Sequence, residues 1–348
     1  MARVSVITAA ALMSMFLLVL VPISAQKFDV TVAADDSGNY KTINEAVANA
    51  PLHSKVPYTI HIKAGVYQEY VFIPKNMTNI VLVGDGAKTT KITGNRSAGG
   101  GFKTHETATV VVKADGFVAK YITFENAAPP SEDQAAAFMI EANRSALYQC
   151  DFLGHQDTLY AKKGSQFFRD CNIYGTVDFI FGHSLAVFQN CNLYVSLPNG
   201  TATFTAQRKK SPEEISGYVI QNCTLTLSPT LDRSSLFDFN AFLGRPWSDF
   251  STVIVMESWL DSIIDPQGWE EWDGRPLMWG TYREYNNQGP GSNTSSRVTW
   301  PTFKVLTDWF QAKPFTVREF LKGDLWLPRT GVPYYGGFAG HYRPSFDN

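Results

Sequence analysis

The chain has 348 residues, and its 30 Lys and Arg against 32 Asp and Glu give a formal net charge of -2. Because there is no basic excess to neutralise phosphates, the composition excludes nucleic acid as the main partner. A hydrophobic fraction of 44% excludes a wholly disordered chain, and four cysteines are too few for a disulfide-rich scaffold.

The first 25 residues predict a secretory signal peptide. Arg3 is the only charged residue before Lys27, and an apolar run extends from Met15 to Val21 between them. Pro22-Ile-Ser-Ala25 follows, and the whole pattern is typical of a signal that is cleaved after Ala25. A membrane anchor is the alternative, but the apolar core is short and polar sequence follows it at once. We therefore expect a secreted protein without a membrane anchor, in an oxidising compartment.

Asn-X-Ser/Thr sequons in a secreted chain predict some glycosylation. Six of them begin at Asn76, Asn95, Asn143, Asn199, Asn222 and Asn293. Asn143 and Asn222 lie in strand-like segments, where we expect an unmodified side chain.

Short helices are predicted only near the two ends of the chain. Thr42-Ile-Asn-Glu45 is a capping-box pattern, and Pro51 ends the helix that it begins. Thr316-Val-Arg-Glu319 is a second such pattern. A helix at the open end of a repeat fold would cover its first coil.

A strand-and-turn repeat organises the middle of the chain. Four similar segments align on Cys150, Cys171, Cys191 and Cys223. Each is short, rich in Val, Ile, Phe and Tyr, and alternates in polarity, which are strand signals. No helical segment separates them, and a repeat of about 20 residues favours an all-β parallel β-helix over a propeller, whose blades need roughly 40. With no linker in sight, residues 26–348 are predicted to form one domain.

The repeat has a consequence for the cysteines. Cys150, Cys171 and Cys191 would occupy the same position of adjacent coils and stack inside as small apolar side chains. One or two disulfide bridges are the alternative in a secreted protein. Metal binding is not expected, because neither a CxxC motif nor a close His/Cys cluster occurs.

The repeat also places two aspartates side by side. Asp157 follows Cys150 by seven residues, and Asp178 follows Cys171 by seven. Stacked strands lie about 4.8 Å apart, so both carboxylates should face one groove. Two like charges this close disfavour double ionisation, which suits a pair in which one carboxylate attacks and the other holds a proton. The alternative is that both are ordinary turn residues.

Three further polar residues are candidates for the same groove. Gln156 directly precedes Asp157, and Gln134 lies about one coil earlier, so their amides are placed to stabilise an oxyanion. Arg245 carries a fork of donors that fits a carboxylate. The alternatives are surface amides and a weak surface salt bridge.

Five segments resemble the signature blocks of the pectin methylesterase family. They are Gly65-Val-Tyr-Gln-Glu69, Gln134-Ala-Ala-Ala-Phe138, Gln156-Asp-Thr-Leu159, Asp178-Phe-Ile-Phe-Gly182 and Leu243-Gly-Arg-Pro-Trp247. Their order and spacing match, and Gly289-Pro-Gly291 and Trp326-Leu-Pro-Arg-Thr-Gly-Val-Pro333 resemble the plant branch. The resemblance implies a right-handed parallel β-helix, one catalytic domain in residues 26–348, pectin as substrate, a cell-wall location and no cofactor or metal. A proteinaceous inhibitor is implied as a second partner, and we expect a monomer.

The resemblance also implies a role for each matching residue. Asp178 corresponds to the nucleophile and Asp157 to the general acid and base. Gln134 and Gln156 correspond to the amides that stabilise the anionic intermediate, and Gln134 also to a substrate contact. Arg245 corresponds to the arginine that orients the nucleophile and contacts substrate, Trp247 to an aromatic substrate contact, and Thr104 to a substrate-binding threonine. Tyr160, Trp269 and Trp272 are further candidates for the groove, with core packing as the alternative.

The chain departs from the family pattern in places. Ala136 and Phe138 replace Val and Leu of the second block, Asp133 stands where many members have His, and His155 stands where Tyr is usual. We expect these changes to affect packing, subsite preference or the pH response. Only a short segment separates the predicted signal from the first family-like residues, so the inhibitor-like pro-region of many plant members is expected to be absent.

Two other functions stay open. Paired carboxylates also serve retaining glycosidases, so a β-helical polygalacturonan hydrolase is the enzymatic rival. A lyase would need a carboxylate cluster for calcium, which the sequence lacks. The remaining alternative is a non-catalytic β-helix that binds cell-wall polysaccharide.

Overall fold

The computed structural model describes residues 27–196, 200–232 and 239–339. The predicted signal peptide, residues 1–25, and the sequon at Asn199 lie outside these ranges. The described strands form three parallel sheets, named A, B and C, and one two-stranded pair.

The three sheets have eleven, eight and seven strands respectively. Sheet A contains Val30–Val32, Tyr58–Ile62, Ile80–Gly84, Val118–Lys120, Ser145–Tyr148, Ser165–Arg169, Leu185–Gln189, Gly217–Gln221, Thr252–Met256, Thr281–Tyr285 and Phe303–Leu306. Sheet B contains Gly65–Gln68, Thr90–Gly94, Thr123–Asn126, Asp151–Leu153, Asn172–Gly175, Asn192–Val195, Thr224–Leu227 and Trp259–Leu260. Sheet C contains Val71–Ile73, Val110–Val112, Phe138–Glu141, Leu159–Lys163, Ile180–Gly182, Thr205–Gln207 and Arg245–Pro246. The remaining pair is Thr201–Thr203 with Asn240–Phe242.

From Tyr58 to Pro246, each coil of the chain passes through sheets A, B and C in that order, whereas the first coil and those after Pro246 lack one or two of these strands. Neighbouring coils pair in parallel, as shown by Leu147 with Phe168 in sheet A and Phe152 with Ile173 in sheet B. The predicted all-β parallel β-helix is therefore confirmed. A propeller is ruled out, because its blades are separate antiparallel sheets.

Alternate residues of the strands fill the interior of the β-helix. Phe168 and Phe188, one coil apart, stack with ring centroids 4.6 Å apart, and Phe152 meets Phe168 edge-on at 5.9 Å. Phe138, which replaces the usual Leu, is fully buried and lies 4.7 Å from Phe124 between ring centroids. Its larger ring is thus accommodated by aromatic packing in the core.

The turns from sheet A to sheet B explain the stack of cysteines. Gln149, Asp170, Asn190 and Asn222 each precede a cysteine and have φ between 50° and 58°. Asn and Asp tolerate this left-handed region better than most residues. The bend turns the next side chain inward, so the four cysteines are buried, unpaired thiols. Of the two alternatives that the sequence leaves open, the structure has the stack of free thiols, and burial raises the pKa of Cys150 to about 12.

The helix at the N-terminal end forms as predicted. It spans Ile43–Ala48, and the capping box of Thr42 and Glu45 is present. Glu69 of the first family-like block accepts from the backbone N–H groups of Ile43 and Asn44 at 3.0 and 3.1 Å. This block therefore fixes the helix that covers the first coil.

The second predicted capping box is wrong in its details. A short helix does span Val317–Phe320, but the Thr316 side chain does not cap it. Its hydroxyl donates instead to the carbonyl of Lys313 at 2.9 Å. The reason is a preceding 3₁₀ turn, Lys313–Phe315, which presents that carbonyl to the threonine.

The C-terminal segment packs on the outer face of sheet A. It also contains the helix Trp309–Ala312 and the 3₁₀ turns Gly323–Leu325 and Leu327–Thr330. Further 3₁₀ turns in the chain are Thr104–Glu106, Pro130–Glu132 and Pro290–Ser292. Val317, Leu321 and Leu327 cover outward side chains of sheet A such as Phe167 and Val219. Within the described ranges, no helix is long and apolar enough to cross a membrane.

A close approach of two coils makes Gly164 a sensitive position. It has a φ of +94°, and an added Cβ would lie 2.1 Å from the carbonyl oxygen of Ala142. Gly101 has a φ of +91°, but an added Cβ there would meet nothing within 4 Å. A side chain at either position would therefore strain the backbone, but only at Gly164 would it also clash with a neighbouring coil.

We predict that Gly164→Ala lowers the free energy of unfolding by about 3 kcal/mol or more, because strain and overpacking combine. Gly101→Ala, the matched control, should cost only about 1 kcal/mol. Chemical denaturation monitored by circular dichroism measures both. Equal losses would contradict the steric argument.

Candidate active site

The two predicted aspartates lie next to each other at the turns from sheet B to sheet C. Leu159 pairs with Ile180 in sheet C, and each aspartate precedes its strand residue by two positions. The backbone N–H of Asp157 donates to the carbonyl of Val177 at 3.1 Å, which holds the two turns together. Asp157 and Asp178 both have positive φ, 65° and 52°. Aspartate tolerates this conformation, so the turn can present both carboxylates outward.

Arg245 binds one of the two carboxylates and not the other. Its Nε and Nη2 atoms donate to the two oxygens of Asp178, each at 2.8 Å. Arg245 pairs in register with Ala206, and Ala206 pairs with Phe181. The small side chain of Ala206 leaves room for the guanidinium to reach back across a coil. This bidentate geometry is the strongest type of arginine–carboxylate contact.

Glu270 is a third acidic group at this centre. Its carboxylate lies 3.6 Å from the Nη1 atom of Arg245 and accepts from the hydroxyl of Thr203 at 3.1 Å. Arg245 is thus held between Asp178 and Glu270. Glu270 was not predicted from the sequence, because a long irregular segment separates it from Arg245 and the coil spacing does not place it.

The two aspartates differ in their electrostatic surroundings. Both are buried, with 8% of Asp157 and 6% of Asp178 exposed. Burial and the charge of Asp178 raise the pKa of Asp157 well above its ordinary value, and Arg245 opposes this only in part. Burial also raises the pKa of Asp178, but its hydrogen bond to Arg245 and the charge of Arg245 lower it. Asp178 is therefore the carboxylate that ionises first.

A cleft of about 510 Å³ opens over these groups. All seven predicted site residues line it, namely Thr104, Gln134, Gln156, Asp157, Asp178, Arg245 and Trp247. Within the part of the chain that the structure describes, the amides of Gln134 and Gln156 make no side-chain hydrogen bond to protein. They are open to a ligand in the cleft.

Aromatic side chains from successive coils form one wall of the cleft. Tyr160 and Phe181 stack with centroids 4.2 Å apart, and Phe181 lies 6.1 Å from Trp247. Trp247 in turn lies 6.4 Å from Trp272. Arg245 sits over the Trp272 ring at 4.6 Å. Such a wall offers ring faces on which sugars can stack.

Tyr160 and Trp272 line the cleft, as predicted from the sequence. Trp269 does not, since it is fully buried and donates from its indole N–H to Glu284 at 3.3 Å. It is core packing. Phe181, Lys103 and His105 line the cleft but were not predicted. Phe181 could have been predicted from the length of the coil, because it lies one coil after Tyr160 and pairs with it in sheet C.

Two other departures from the family pattern, Asp133 and His155, directly precede cleft residues in the chain. Asp133 is exposed beside Gln134. His155 is half-buried, its Nδ1 atom has no hydrogen-bond partner among the described residues, and burial lowers its pKa. No group of three or more His, Cys, Asp or Glu in the described ranges is placed to hold a metal ion.

The fold and the cleft together define a parallel β-helix protein with an aspartate pair and an arginine in an aromatic-lined cleft. Comparison with known proteins identifies the family. The family model described as Pectinesterase matches residues 29–324. The chain therefore belongs to the pectinesterase family.

Individual relatives agree with this assignment. The chain is 44% identical over 313 residues to "Putative pectinesterase/pectinesterase inhibitor 38" of Arabidopsis thaliana, covering 89% of this chain and 65% of that protein. It is 42% identical to a pectin methylesterase from carrot, with a TM-score of 0.88 and coverage of 90% and 99% of the two chains. It also resembles a pectin methylesterase in complex with a hexasaccharide, at 28% identity, TM-score 0.70 and coverage of 85% and 98%. The likeness to these β-helices confirms the right-handed coil.

The raised pKa of Asp157 predicts a pH-dependent cost to stability. The folded-state pKa lies above the unfolded one, so the folded protein binds more protons between the two values. Stability is therefore lost as pH rises from the unfolded pKa, about 3.9, through the folded pKa. Asp157→Asn removes this loss and keeps a residue that tolerates positive φ.

We predict that Asp157→Asn raises the melting temperature at pH 7 by a few degrees and leaves it unchanged at pH 3. Thermal denaturation across this pH range measures the difference. Asp36→Asn is the matched control, since Asp36 has a φ of 66° but is 65% exposed at its side chain. A melting temperature for Asp157→Asn at or below that of the native protein at pH 7 would contradict the argument.

Proposed function

We propose that this protein hydrolyses the methyl esters of galacturonic acid in pectin, releasing methanol and leaving pectate. The observation that carries the proposal is the unequal aspartate pair: Asp178 is bound by Arg245 in a bidentate contact, while Asp157 beside it has a strongly raised pKa. The family membership and the hexasaccharide bound by a structural relative support an oligosaccharide substrate. The chain spans 65% and 56% of the length of the first two curated relatives, so the activity of those proteins is carried over as a proposal.

The chemistry follows from the protonation states of the pair. Ionised Asp178 attacks the carbonyl carbon of the ester, and the amides of Gln134 and Gln156 donate to the oxyanion that forms. Protonated Asp157 gives its proton to the departing methoxy oxygen, and methanol leaves. The anhydride between substrate and Asp178 is then attacked by water, from which Asp157 takes a proton. Asp178 leaves as a carboxylate, Asp157 is protonated again, and the galacturonic acid that is formed releases its proton to solvent to give galacturonate.

The remaining cleft residues bind and orient in this scheme. Arg245 keeps Asp178 ionised and fixes its direction, and it contacts the substrate together with Thr104 and Trp247. Tyr160, Phe181 and Trp272 extend the surface on which sugar rings stack. The chemistry requires neither a metal nor a cofactor.

The biological setting is part of the same proposal. We expect residues 1–25 to be removed on secretion, residues 26–348 to act as one catalytic domain and a monomer in the cell wall, and a proteinaceous inhibitor to bind it. The continuous core from Val32 to Trp300 supports a single domain. Mass spectrometry of the secreted protein should find Gln26 at its N-terminus, and a retained leader would refute the cleavage site.

We predict that Asp178→Asn lowers methanol release from highly esterified pectin by about a thousandfold or more, because the nucleophile is lost. Asp36→Asn should keep full activity. Methanol is assayed alongside circular dichroism, and beside unesterified polygalacturonate with reducing ends monitored. Unchanged methanol release by Asp178→Asn would refute the nucleophile. Reducing ends from polygalacturonate would favour the glycoside hydrolase, and polymer binding without turnover would favour a non-catalytic wall protein.

Replacing the forked guanidinium tests the role of Arg245. We predict that Arg245→Lys lowers kcat/KM about 10- to 100-fold and moves the acidic limb of the pH profile to higher pH, because Asp178 loses its bidentate partner. Arg318→Lys, in an exposed pair with Asp324, is the control. The measurement is kcat/KM against pH on a methyl-esterified oligogalacturonide. An unmoved acidic limb would show that Arg245 does not set the ionisation of Asp178.

A further inference from the structure

A second, larger groove lies on a different face of the β-helix. It has a volume of about 890 Å³ and runs between the outer face of sheet A and the C-terminal segment. It shares no lining residue with the catalytic cleft, which opens over sheet C. The two are therefore independent places for a ligand to bind.

The lining of this groove is strongly basic. Its cations are Lys55, Lys120, Arg144, Lys322 and Arg329, and Asp115 is its single carboxylate. Lys55, Arg144, Lys322 and Arg329 are exposed. Among the described residues, Lys55, Arg144 and Arg329 form no ion pair with a carboxylate, whereas Lys322 lies 3.6 Å from Glu319. A chain with a net charge of -2 thus concentrates unpaired positive charge in one place.

The walls of the groove are held in position by internal hydrogen bonds. Thr78 and Asn79 both donate from their side chains to the carbonyl of Ser54 at 2.7 Å, which pins the loop that carries Lys55. On the opposite side, the Lys120 ammonium donates to the carbonyl of Gly331 at 3.3 Å. Burial lowers the pKa of Lys120. Because the groove is formed in advance, a ligand would bind without a large ordering cost.

The groove has the dimensions of an extended chain. The strands Tyr58–Ile62, Ile80–Gly84, Val118–Lys120 and Ser145–Tyr148 are consecutive neighbours in sheet A. Lys55 precedes the first and Arg144 precedes the last, so at ~4.8 Å per strand they span about 14 Å along the β-helix axis. Thr59 and Thr330 add hydroxyl-bearing side chains to the lining of the groove. A linear polyanion with carboxylates and hydroxyls at regular intervals fits this lining.

Arg144 occupies a backbone position that favours glycine. It has a φ of 51°, and the preceding coil has a glycine at the equivalent position: Gly116, with a φ of 76°, lies two residues before Val118, which pairs with Ala146. An arginine in the left-handed region costs on the order of 1 kcal/mol. Arg144→Gly should therefore remove the charge from the groove without weakening the fold.

We propose that this groove is a second polysaccharide site, which binds acidic, de-esterified galacturonan. The assignment of this ligand rests on the proposed function, because a pectin esterase produces a polycarboxylate in its own surroundings. Cations that lack partners suit such a product, whereas they gain little from the neutral methyl ester. The site would hold the de-esterified part of a polymer on the enzyme, apart from the catalytic cleft.

The test compares two triple variants that remove the same charge. One is Lys55→Gln, Arg144→Gly and Arg329→Gln in the groove. The control is Lys88→Gln, Lys304→Gln and Lys313→Gln, three exposed cations outside it. Isothermal titration calorimetry with unesterified oligogalacturonate measures binding at low and physiological salt. Melting temperatures check that both variants are folded.

The groove variant should bind unesterified oligogalacturonate about tenfold more weakly at low salt, with one class of site lost, while the control binds like the native protein. Equal binding by the two variants would overturn the proposal. So would groove-dependent binding of phosphatidylserine vesicles in preference to oligogalacturonate, or equal binding of a fully methylated oligomer.

Methanol release from a short methylated oligogalacturonide separates this proposal from the proposed function. If the native protein releases methanol and the groove variant does so at the same rate, the catalytic proposal stands and calorimetry alone decides on the groove. If the native protein releases no methanol, the esterase assignment fails, whereas the binding comparison still reports whether the groove takes a polycarboxylate.

Discussion

The structure depends on the in-register stacking of successive coils. Strands in the three sheets pair in parallel, so a residue finds its neighbour one coil later at the spacing of a hydrogen-bonded ladder. Side chains of one coil therefore often contact side chains of the same type in the next coil. Aromatic rings stack on aromatic rings, thiols on thiols, and Asn192 donates to Asn172 along the start of sheet B. The same spacing brings two carboxylates together without any long-range loop having to place them.

The proximity of the two carboxylates lowers the stability of the fold, and the same proximity makes their pKa values differ. Two buried carboxylates at adjacent positions cannot both ionise easily. Arg245 resolves the conflict by binding only Asp178, so that Asp157 retains its proton to higher pH. Glu270 stabilises Arg245 from its other side and leaves the aspartates unequal. The two aspartates occupy equivalent positions of adjacent coils, and the contact of Arg245 with Asp178 alone makes them differ in pKa.

The sequence predicts those contacts of the site that join equivalent positions of adjacent coils. The offsets from Cys150 and Cys171 sufficed to pair Asp157 with Asp178, because both lie in coils of regular length. The same arithmetic finds Phe181 from Tyr160. It does not find Glu270 or place Trp269, because long loops separate them from the regular coils and the polarity of the local sequence does not say which face each presents. The role of Arg245 came from its resemblance to a family motif.

Capping shows the same limit at a smaller scale. Thr42 and Glu45 cap their helix as their spacing predicts, and no 3₁₀ turn directly precedes Thr42. Thr316 and Glu319 have the same spacing, but a 3₁₀ turn directly precedes Thr316 and offers its hydroxyl a nearer carbonyl. The spacing of Thr and Glu is the same in both segments, and the preceding backbone determines whether the threonine caps the helix.

Net charge is the least informative quantity of all for a solenoid of this kind. A β-helix has separate faces, and side chains on one face are screened from those on another by the packed interior and by salt over about 10 Å. The formal charge of -2 therefore conceals a basic groove along sheet A and a carboxylate centre over sheet C. The proposed esterase would turn a neutral polymer into an acidic one, and this reaction needs the two surfaces to differ. In that proposal the cleft accepts a neutral ester beside a protonated aspartate, and attraction for the acidic product is best placed where it does not compete with that ester.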